Sequence, residues 1–559
     1  MFVEFKKIVE SLLREALKRA GYEADDLGLE SRGDFADLAS SVSFRLAPKY
    51  KTSPTTIAQN IARNIPKSEL IERVEIAGPY INFFVGALYL CKTLETVAKE
   101  NRSYGNIGLR QTVVLEHTSA NPNGPLHIGH VRNSIVGDIL GRCLKRAGCS
   151  VETQYYVNDM GRQIALVVWG LTQFELDQNK KSDHATADVY IRATAEAELH
   201  PTRRVEVSEL MQKYEHGDED TTCLFQDAVR FCLLGIVETL RNLDVEHDTF
   251  VWESEFLEDI AGLIRELKQR GYTKEDGSLA VDLSKFGMEK ELVIRRSDGT
   301  SVYPTRDIAY HIWKAGRCSC MIDVLGADHK LNAMQVGKVL ELFGVKPPKV
   351  VIFEFVSLPE GSMSTRRGQF VSADEVLEEV TNKAYEEVDM RRPGLSEDEK
   401  WSIARAVAKG AVRYDIASVS VDKPTIFDWK EALDFERQGA PFIQYAHARA
   451  ANILAKADDF DFDGNYNPEL LTDEFEIKLI KVIAKFTAAI ENVVLNLHPH
   501  TLAGYARELA ESFNQFYRYV PVLSAEPGVR EARLSLVYCA KIALRNTLDS
   551  LGVEAIDSM

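Results

Sequence analysis

The 559-residue sequence contains no apolar run of about 18 residues, which is the length that a membrane-spanning helix needs. The nearest candidate, residues 81–91, is short and includes Asn82. The N-terminal segment has the spacing of an amphipathic helix and carries Glu4 and Glu10. We therefore expect neither a secretory signal nor an acid-poor transit peptide, and no membrane partner.

Cysteine is sparse and scattered. The eight cysteines include no Cys-x-x-Cys pair, and only Cys318 and Cys320 lie close together. A structural zinc site usually needs such pairs, so we predict no structural metal. Reduced, buried thiols are typical of a cytoplasmic protein, and we expect that location. The net charge of −17 argues against a protein that coats nucleic acid, although a local basic groove can still bind RNA.

The most informative segment is the loop between an apolar strand at residues 112–115 and an apolar helix that starts near Val131. It contains His127, Gly129 and His130. The N-terminus of a helix presents unpaired N–H groups and the positive end of the helix dipole, so it attracts anions. The histidines add side-chain donors, and Gly129 has no Cβ, so a flat ring can lie against the backbone. This combination predicts an ATP site.

The pattern of apolar residues divides the chain into three regions. Residues 1–105 mix helices and strands, with a closing strand predicted at 74–84. Residues 106–395 alternate strands and helices, and residues 396–559 are dominated by helical periodicity. A polar segment at about residues 173–230 has no strand pattern and is interpreted as an insertion. We therefore predict a multidomain α/β plus α protein.

In the middle region, the helix after the first strand extends to Ala147, and Gly148 suits the left-handed position that ends a helix. A second strand is predicted at residues 151–157. A strand, a helix and a strand with a short return predict a right-handed parallel crossover, and ligands bind at the carboxyl ends of such strands. Glu116 and Asn158 follow those ends directly.

Later segments continue the alternation. Residues 292–296 and 300–303 flank a turn, and strands are predicted at 321–325 and 350–358. The next helix begins with a capping box, formed by Ser372 and Glu375.

Several of these motifs resemble those of class I aminoacyl-tRNA synthetases, and in particular of arginyl-tRNA synthetases. The histidine loop matches the first class I motif. The second class I motif reads Lys-Met-Ser-Lys-Ser in the family ideal. The segment here that resembles it consists of Ser362, Met363, Ser364, Thr365 and Arg366. Blocks at residues 444–449 and 543–546 resemble arginyl-family segments. The resemblance implies a Rossmann-like catalytic domain between an α+β N-terminal domain that binds the tRNA elbow and an α-helical anticodon-binding bundle.

The resemblance implies an arginine–tRNA ligase that works in two steps. The carboxylate of L-arginine attacks the α-phosphorus of ATP, and pyrophosphate leaves. The 2′-hydroxyl of the terminal adenosine of tRNA(Arg) then takes the arginyl group. Neither step needs an enzyme nucleophile, because positioning and stabilisation of phosphate charge carry the catalysis. Mg²⁺ is expected to travel with ATP, and the resemblance suggests a monomer.

Binding of arginine requires acceptors, because a guanidinium group carries five donors and no acceptor, and a carboxylate accepts two of them in parallel. By resemblance, the residues expected to bind arginine are Glu116, Ser119, Asn121, Tyr303, Asp307 and Asp328. The alternatives are helix capping for Asp307 and Asp328 and a surface charge at a strand edge for Glu116.

For tRNA, the resemblance points to three places on the chain. Asn158, Asp159 and Arg162 resemble the block that faces the terminal adenosine or ATP. The candidates for contact with the D-loop are Tyr80 and Asn82. The candidates for contact with the anticodon are Tyr445, Arg449, Tyr538 and Met559. The alternative to tRNA contact for each aromatic residue among them is a role in the hydrophobic core.

The second motif departs from the family ideal because Ser362 and Thr365 replace both lysines. The lysine that some arginyl enzymes carry shortly before the first motif is also missing, since residues 123–126 contain none. The remaining cations are Arg366 and Arg367, and we predict that one or both neutralise pyrophosphate in the activation transition state. Binding of the tRNA backbone is their alternative role. The residues expected to contact ATP are His127, Gly129, His130, Ser362, Met363 and Ser364.

Three other functions stay open at this point. A cysteinyl or glutamyl synthetase would not need the guanidinium-binding set. A small-molecule nucleotidylyltransferase would need neither the N-terminal unit nor the helical region. A non-catalytic RNA-binding relative is compatible with the missing lysines. Arginine-dependent pyrophosphate exchange, measured with and without tRNA, distinguishes all four functions.

Overall fold

The computed structural model describes the chain apart from residues 32, 289, 298–299, 301, 358, 360–370, 435–438, 458–459, 461, 463 and 465. A small α+β unit comes first, a parallel sheet with flanking helices follows, and helices dominate the last part. Within the described residues, no helix is both long enough and apolar enough to cross a bilayer.

The N-terminal unit packs helices against an antiparallel sheet. Its elements are α1 (Phe2–Ala20), β1 (Leu29–Glu30), β2 (Leu38–Ser40), α2 (Val42–Tyr50), α3 (Pro54–Arg63), β3 (Ile71–Ala77) and β4 (Tyr80–Val85). The strand order is β1-β2-β4-β3. Phe5 and Leu13 of α1 are fully buried with Phe83 of β4. The single strand predicted at 74–84 is wrong, because Gly78, with a φ of 59°, allows a turn there that separates β3 from β4.

The middle region is built on a five-stranded parallel sheet. Its elements are α4 (Ala87–Glu100), β5 (Thr112–Glu116), α5 (Ile128–Ala147), β6 (Ser150–Val157), α6 (Arg162–Gln173), α7 (Ser182–Leu199), α8 (Pro201–Glu215), α9 (Glu219–Asn242), β7 (Thr249–Trp252), α10 (Leu257–Gln269), β8 (Thr273–Asp276), β9 (Ser278–Val281), β10 (Leu292–Arg295), α11 (Tyr303–Ala315), β11 (Cys320–Gly326), α12 (Lys330–Leu342) and β12 (Lys349–Phe353). The parallel strands lie in the order β12-β11-β5-β6-β7, and β10-β9-β8 form a separate antiparallel sheet.

The predicted crossover is present as β5, α5 and β6, and β5 pairs with β6 in parallel. Gly148 ends α5 in the left-handed conformation with a φ of 105°. The polar segment at 173–230 is helical and forms α7, α8 and the first part of α9. Residues 292–296 and 300–303 flank the predicted turn, across which the N–H of Arg296 donates to the carbonyl oxygen of Thr300 at 2.9 Å. The first of these segments contains β10, which pairs with β9, and the second ends at Tyr303, where α11 begins.

The last region is helical. Its elements are β13 (Val356–Ser357), α13 (Ala373–Arg391), α14 (Glu397–Ser418), β14 (Thr425–Ile426), α15 (Trp429–Ala432), α16 (Ala440–Ala455), α17 (Glu474–Ala484), α18 (Phe486–Asn496), α19 (His500–Tyr519) and α20 (Val529–Leu551). The predicted strand at 350–358 is divided between β12 and β13. Ser372 and Glu375 form the predicted capping box of α13. One continuous hydrophobic core runs from Leu94 to Val553 and joins the sheet region to the helices.

Arginine side chains tie the helical region to α5. Arg413 of α14 is fully buried and donates to Asp138 of α5, to the carbonyl oxygen of Leu243 (2.7 Å) and to that of Leu551 (3.0 Å). Arg142 of α5 also binds Asp138, at 2.6 Å. The helix that begins at the histidine loop is therefore fixed to the end of α20.

Candidate active site

Polar residues converge on one edge of the parallel sheet. Glu116 ends β5, Asn158 follows β6, and Glu253 follows β7. These strands are neighbours, and parallel strands present their carboxyl ends at the same edge. The sheet therefore gathers residues that are far apart in the sequence.

The chain leaves β5 through two residues with left-handed backbone angles, Thr118 (φ 69°) and Ser119 (φ 41°). Side chains from α5 hold this conformation. Asn133 Oδ1 accepts from the Thr118 N–H at 2.9 Å, and the hydroxyls of Thr118 and Ser134 are 2.8 Å apart. Ser119 donates to Glu116 Oε1 at 3.3 Å. Non-glycine residues adopt such angles where the surroundings impose them, which is common at functional sites.

The two histidines cap α5 with their rings stacked, with centroids 3.6 Å apart. His127 Nδ1 accepts from the N–H groups of Gly129 (3.0 Å) and His130 (3.3 Å), and His130 Nδ1 accepts from the N–H of His127 (3.3 Å). Burial lowers the pKa of His127 and lowers that of His130 to about 3, so both rings are neutral at pH 7. Because each Nδ1 accepts, each neutral ring carries its proton on Nε2. The loop thus offers N–H donors at the start of a helix, as an anion site requires.

The first motif is bonded to the residues that follow the second. His127 pairs with Ser372 in an antiparallel bridge, and the N–H of Ala373 donates to the carbonyl oxygen of Leu126 at 2.7 Å. Ser362, Met363, Ser364, Arg366 and Arg367 themselves lie outside the described residues.

Glu116 is buried rather than exposed at a strand edge, so the surface-charge alternative is wrong. Its Oε2 accepts from Lys314 Nζ at 3.0 Å, and Lys314 donates to Asp323 Oδ1 at 2.7 Å. Asp323 Oδ2 lies 2.8 Å from His311 Nε2, and His311 Nδ1 lies 3.0 Å from Asp307 Oδ1. A continuous chain of charged groups therefore connects the two predicted guanidinium ligands.

The protonation of this chain follows from its contacts. Burial raises the pKa of Glu116, and the ammonium of Lys314 opposes that rise. Burial acts to lower the pKa of His311, but the carboxylates of Asp323 and Asp307 outweigh it and raise that pKa to about 10. His311 is therefore an imidazolium at neutral pH. Its Nε2–H donates to the carboxylate of Asp323, and its Nδ1–H donates to the main-chain carbonyl oxygen of Asp307 at 2.7 Å, with the carboxylate of Asp307 at 3.0 Å.

Aromatic rings form one side of the same site. Tyr156 stacks on Tyr310 with ring centroids 4.4 Å apart and meets Tyr303 edge-on at 6.4 Å. Burial raises the pKa of the Tyr303 phenol well above its ordinary value, and the charges of Asp307 and Glu116 add to the rise. The two predicted carboxylates thus act on one phenol. Asp307 lies in the second turn of α11, so the capping alternative is wrong for it.

Asn158 and its neighbour Asp159 have different surroundings. The side-chain amide of Asn158, in the orientation that satisfies its neighbours, donates to Glu253 Oε2 at 2.8 Å and to the carbonyl oxygen of Met160 at 2.9 Å. Glu253 in turn pairs with Arg306 at 2.6 Å. Asp159 is fully buried and accepts from the hydroxyl of Tyr214 and from the N–H of Ser254. This burial contradicts the prediction that Asp159 contacts tRNA directly, because no face of its carboxylate reaches the surface.

The other predicted residues of this site lie at its surface. Asn121 is exposed and donates to Gln163 Oε1 at 2.8 Å, and Arg162 is exposed at the start of α6. The Asp328 side chain is 66% exposed in a short turn after β11. His329, rather than Asp328, precedes α12, and no side chain caps that helix, so the capping alternative is wrong here as well.

Two groups of side chains among the described residues are close enough to hold a cation. They are Glu116, His311 and Asp323, and Asp183, His184 and Asp374. A lysine ammonium already lies inside each group, Lys314 in the first and Lys181, 2.7 Å from Asp374, in the second. In each group a cation of the chain itself therefore lies against the carboxylates.

The helical region contains a cavity of about 1320 Å³. Three of the predicted anticodon residues, Tyr445, Arg449 and Met559, line it. Arg449 lies over the rings of Tyr445 (4.5 Å) and Tyr517 (4.3 Å). Further arginine and aromatic residues in its wall are Arg391, Arg392, Phe442, Phe475, Arg518 and Tyr519. Arginines interleaved with rings suit the stacking and charge of single-stranded RNA.

The remaining predicted tRNA residues lie elsewhere. Tyr538 stacks on Phe462 with centroids 4.7 Å apart and accepts from Asn101 Nδ2 at 3.4 Å, so it faces the linker after α4. Tyr80 is half-buried at the start of β4, edge-on to Phe44. Asn82 is 8% exposed in the same strand.

The sequence predictions missed Lys314, His311 and Asp323. A charged residue at position 323 interrupts an apolar strand, and that interruption was a usable signal. Lys314 gave no such signal, because a lysine near the end of a helix is ordinarily solvated.

Comparison with known proteins agrees with this architecture. Residues 93–429 match the family model described as tRNA synthetases class I (R), catalytic domain. Residues 443–559 match the DALR anticodon binding domain, and residues 7–85 match the arginyl tRNA synthetase N terminal domain. The parallel sheet with its histidine loop is therefore the catalytic domain of a class I aminoacyl-tRNA synthetase.

The arginine–tRNA ligases of Methanosarcina mazei and Methanosarcina barkeri are 53% and 52% identical to this chain, over the full length of each sequence. The structure of Thermus thermophilus arginyl-tRNA synthetase superposes with a TM-score of 0.84 at 28% identity and covers 99% of this chain and 100% of its own. The chain belongs to the arginyl-tRNA synthetase family. It is an arginine–tRNA ligase that forms arginyl-adenylate from arginine and ATP and then transfers the arginyl group to tRNA. The three other functions considered above are not supported.

Proposed function

We propose that the guanidinium group of L-arginine binds between Glu116 and Asp307, with Tyr303 as a third partner. The observation that carries this proposal is the chain of ion pairs that runs from Glu116 through Lys314, Asp323 and His311 to Asp307. It brings the two carboxylates into one site, and Asp307 lies one helical turn from the half-buried Tyr303. Carboxylates match the planar fork of a guanidinium, whereas the ammonium of lysine lacks that geometry. A site of this kind discriminates by several orders of magnitude without editing.

The remaining arginine contacts belong to the α-amino and carboxylate end of the substrate. Asn121 and Asp328, both at the carboxyl edge of the sheet, suit this role, and the ammonium complements the carboxylate of Asp328. Ser119 binds Glu116 and supports its orientation. This arrangement directs the substrate carboxylate toward the histidine loop.

ATP is proposed to bind at the start of α5. The Nε2–H groups of His127 and His130 donate to phosphate oxygens. The missing Cβ of Gly129 makes room for the His127 ring, whose Cε1 lies 2.9 Å from where that Cβ would be, so Gly129 is a proposed ATP contact through its backbone. Mg²⁺ arrives with the phosphates and supplies further neutralisation of their charge. Because both imidazoles are neutral, they stabilise the transition state as hydrogen-bond donors rather than as proton donors.

Arg366 and Arg367 are proposed to replace the lysines of the second motif. Arg367 precedes Ser372 by five residues, a span of at most about 17 Å, and Ser372 pairs with His127. Ser362, Met363 and Ser364 belong to the same sequence motif and are proposed ATP contacts. Pyrophosphate exchange of Arg366→Ala and Arg367→Ala tests the pair. We expect at least one variant to lose most of its rate, and two unimpaired variants would refute the role.

For tRNA(Arg), we propose that Asn158 and Arg162 face the terminal adenosine, whose 2′-hydroxyl takes the arginyl group. The anticodon bases enter the cavity around Arg449, and Tyr80 and Asn82 contact the D-loop. Tyr538 is proposed to contact the anticodon region from outside that cavity. We further propose a cytoplasmic monomer with domain limits near residues 105 and 395.

Isosteric variants test the arginine pocket. Glu116→Gln and Asp307→Asn each lose a charge-assisted acceptor, and we expect the KM for arginine to rise about 10- to 100-fold while the KM for ATP is unchanged. Glu341→Gln, an exposed carboxylate of α12, is the matched control. Arginine-dependent pyrophosphate exchange, with and without tRNA, is the readout. An unchanged KM for arginine in both pocket variants would refute the assignment.

A further inference from the structure

Lys314 is fully buried, a place where lysine is rarely found without a function or a tight set of partners. Its ammonium donates to Glu116 Oε2 at 3.0 Å and to Asp323 Oδ1 at 2.7 Å, and it lies 4.4 Å from the centre of the Tyr310 ring. Its contacts therefore lie directly behind one of the two carboxylates that we propose for the guanidinium group.

The charges around Glu116 come from two elements. Helix α11 contributes Asp307, His311 and Lys314, and β11 contributes Asp323. The phenols of Tyr303 and Tyr310, also on α11, are neutral. Three carboxylates and two cations leave one net negative charge, which equals the charge needed to balance one guanidinium group.

We propose that Lys314 is a positioning residue for arginine recognition, which keeps Glu116 ionised and, by holding Oε2, fixes Oε1 toward the guanidinium group. A protonated Glu116 would be a donor facing a group that has only donors. Without the ammonium, a buried carboxyl beside Asp323 and Asp307 would bind a proton. Asp323 has His311 as a second partner, so Glu116 is the carboxylate that depends on Lys314.

This inference rests on the proposed arginine pocket, and it makes a prediction that a purely structural lysine does not. In the Lys314→Met variant, arginine must displace a proton from Glu116. The KM of this variant for arginine should then fall about tenfold for each unit by which the pH rises between pH 6 and pH 8. The unsubstituted enzyme should keep its KM within about twofold over that range. The KM for ATP should not follow the same curve.

Lys338→Met is the matched control, because Lys338 is a half-exposed lysine of α12 that pairs with Glu341. It should behave as the unsubstituted enzyme does. Substrate KM values are measured by pyrophosphate exchange on the full-length protein with saturating tRNA, and far-UV circular dichroism checks the fold of each variant.

A second variant covers the case in which Lys314→Met does not fold. Lys314→Met/Asp323→Asn removes the ammonium together with one of its carboxylates and leaves fewer buried charges. The KM of this double variant for arginine should still fall as the pH rises. The fall should occur at lower pH values than in the single variant, because Asp323 no longer raises the pKa of Glu116.

A KM for arginine that is independent of pH in the folded variant would overturn the inference. Glu116→Gln separates this failure from that of the pocket itself. If Glu116→Gln raises the KM for arginine while Lys314→Met leaves it flat, only the role of Lys314 fails. If Glu116→Gln has no effect either, Glu116 does not bind arginine and the inference fails with it; if Asp307→Asn also has no effect, the arginine pocket itself fails.

Discussion

Replacement of Arg413 by methionine should strongly destabilise the enzyme. Methionine keeps the apolar stem of the side chain, so the change removes the guanidinium group and little packing. The carbonyl oxygens of Leu243 and Leu551 each lose a charge-assisted donor, worth about 1.5 kcal/mol apiece. Asp138 keeps Arg142 as a partner, so its further loss is small. The free energy of unfolding should fall by about 3–4 kcal/mol.

Urea denaturation followed by far-UV circular dichroism measures this loss. Arg230→Met is the matched control, because the Arg230 side chain is 60% exposed and its ion pair with Asp227 is 3.6 Å long, so its change should stay within about 0.5 kcal/mol. A loss below about 1 kcal/mol for Arg413→Met would refute the reasoning, since it would mean that water replaces the guanidinium group at all of its acceptors.

Three further predictions concern other parts of the chain. In Gly137→Ala the new Cβ would lie 2.2 Å from Cγ of His117, so we expect a loss of about 1–3 kcal/mol in thermal unfolding and a slower pyrophosphate exchange; a stabilised variant would contradict the close contact. Burial lowers the pKa of His247 from 6.5 to about 4, so the unfolded chain binds more protons between these values and stability falls as pH drops from 6.5 toward 4. This histidine should contribute about 2 kcal/mol less to the free energy of unfolding at pH 5 than at pH 7. In His247→Asn the urea midpoint should therefore depend less on pH between these values, and an unchanged pH dependence would contradict this role of His247. Tyr80→Ala should raise the KM for tRNA severalfold and leave those for arginine and ATP unchanged, and equal tRNA KM values would remove Tyr80 from the interface.

Local rules made much of the site predictable. Three features follow from patterns that each lie within one short stretch of sequence: the strand that ends at Glu116, the histidine loop, and the end of α5 at Gly148. The capping box of Ser372 and Glu375 is equally local. By contrast, the turn at Gly78 was missed because the apolar pattern continues on both sides of it.

Long-range pairing was not predictable from the same patterns. Lys314 and Glu116 are 198 positions apart, and they meet where β11, the strand that follows the helix of Lys314, pairs with β5. Asp159 resembles a loop acid in sequence, yet the insertion places Tyr214 over it. Side-chain burial of this kind depends on which elements pack together, and single-segment periodicity does not contain that information.

The continuous core between the sheet region and the helices bears on protein engineering. A chimera that exchanges the segment after residue 395 for that of a distant relative would have to match Val407, Phe486 and Leu548 to a foreign apolar surface. Grafts at that junction should therefore fail to fold unless both sides are redesigned together, so substitutions in the wall of the cavity that we propose for the anticodon bases are the better route to new specificity.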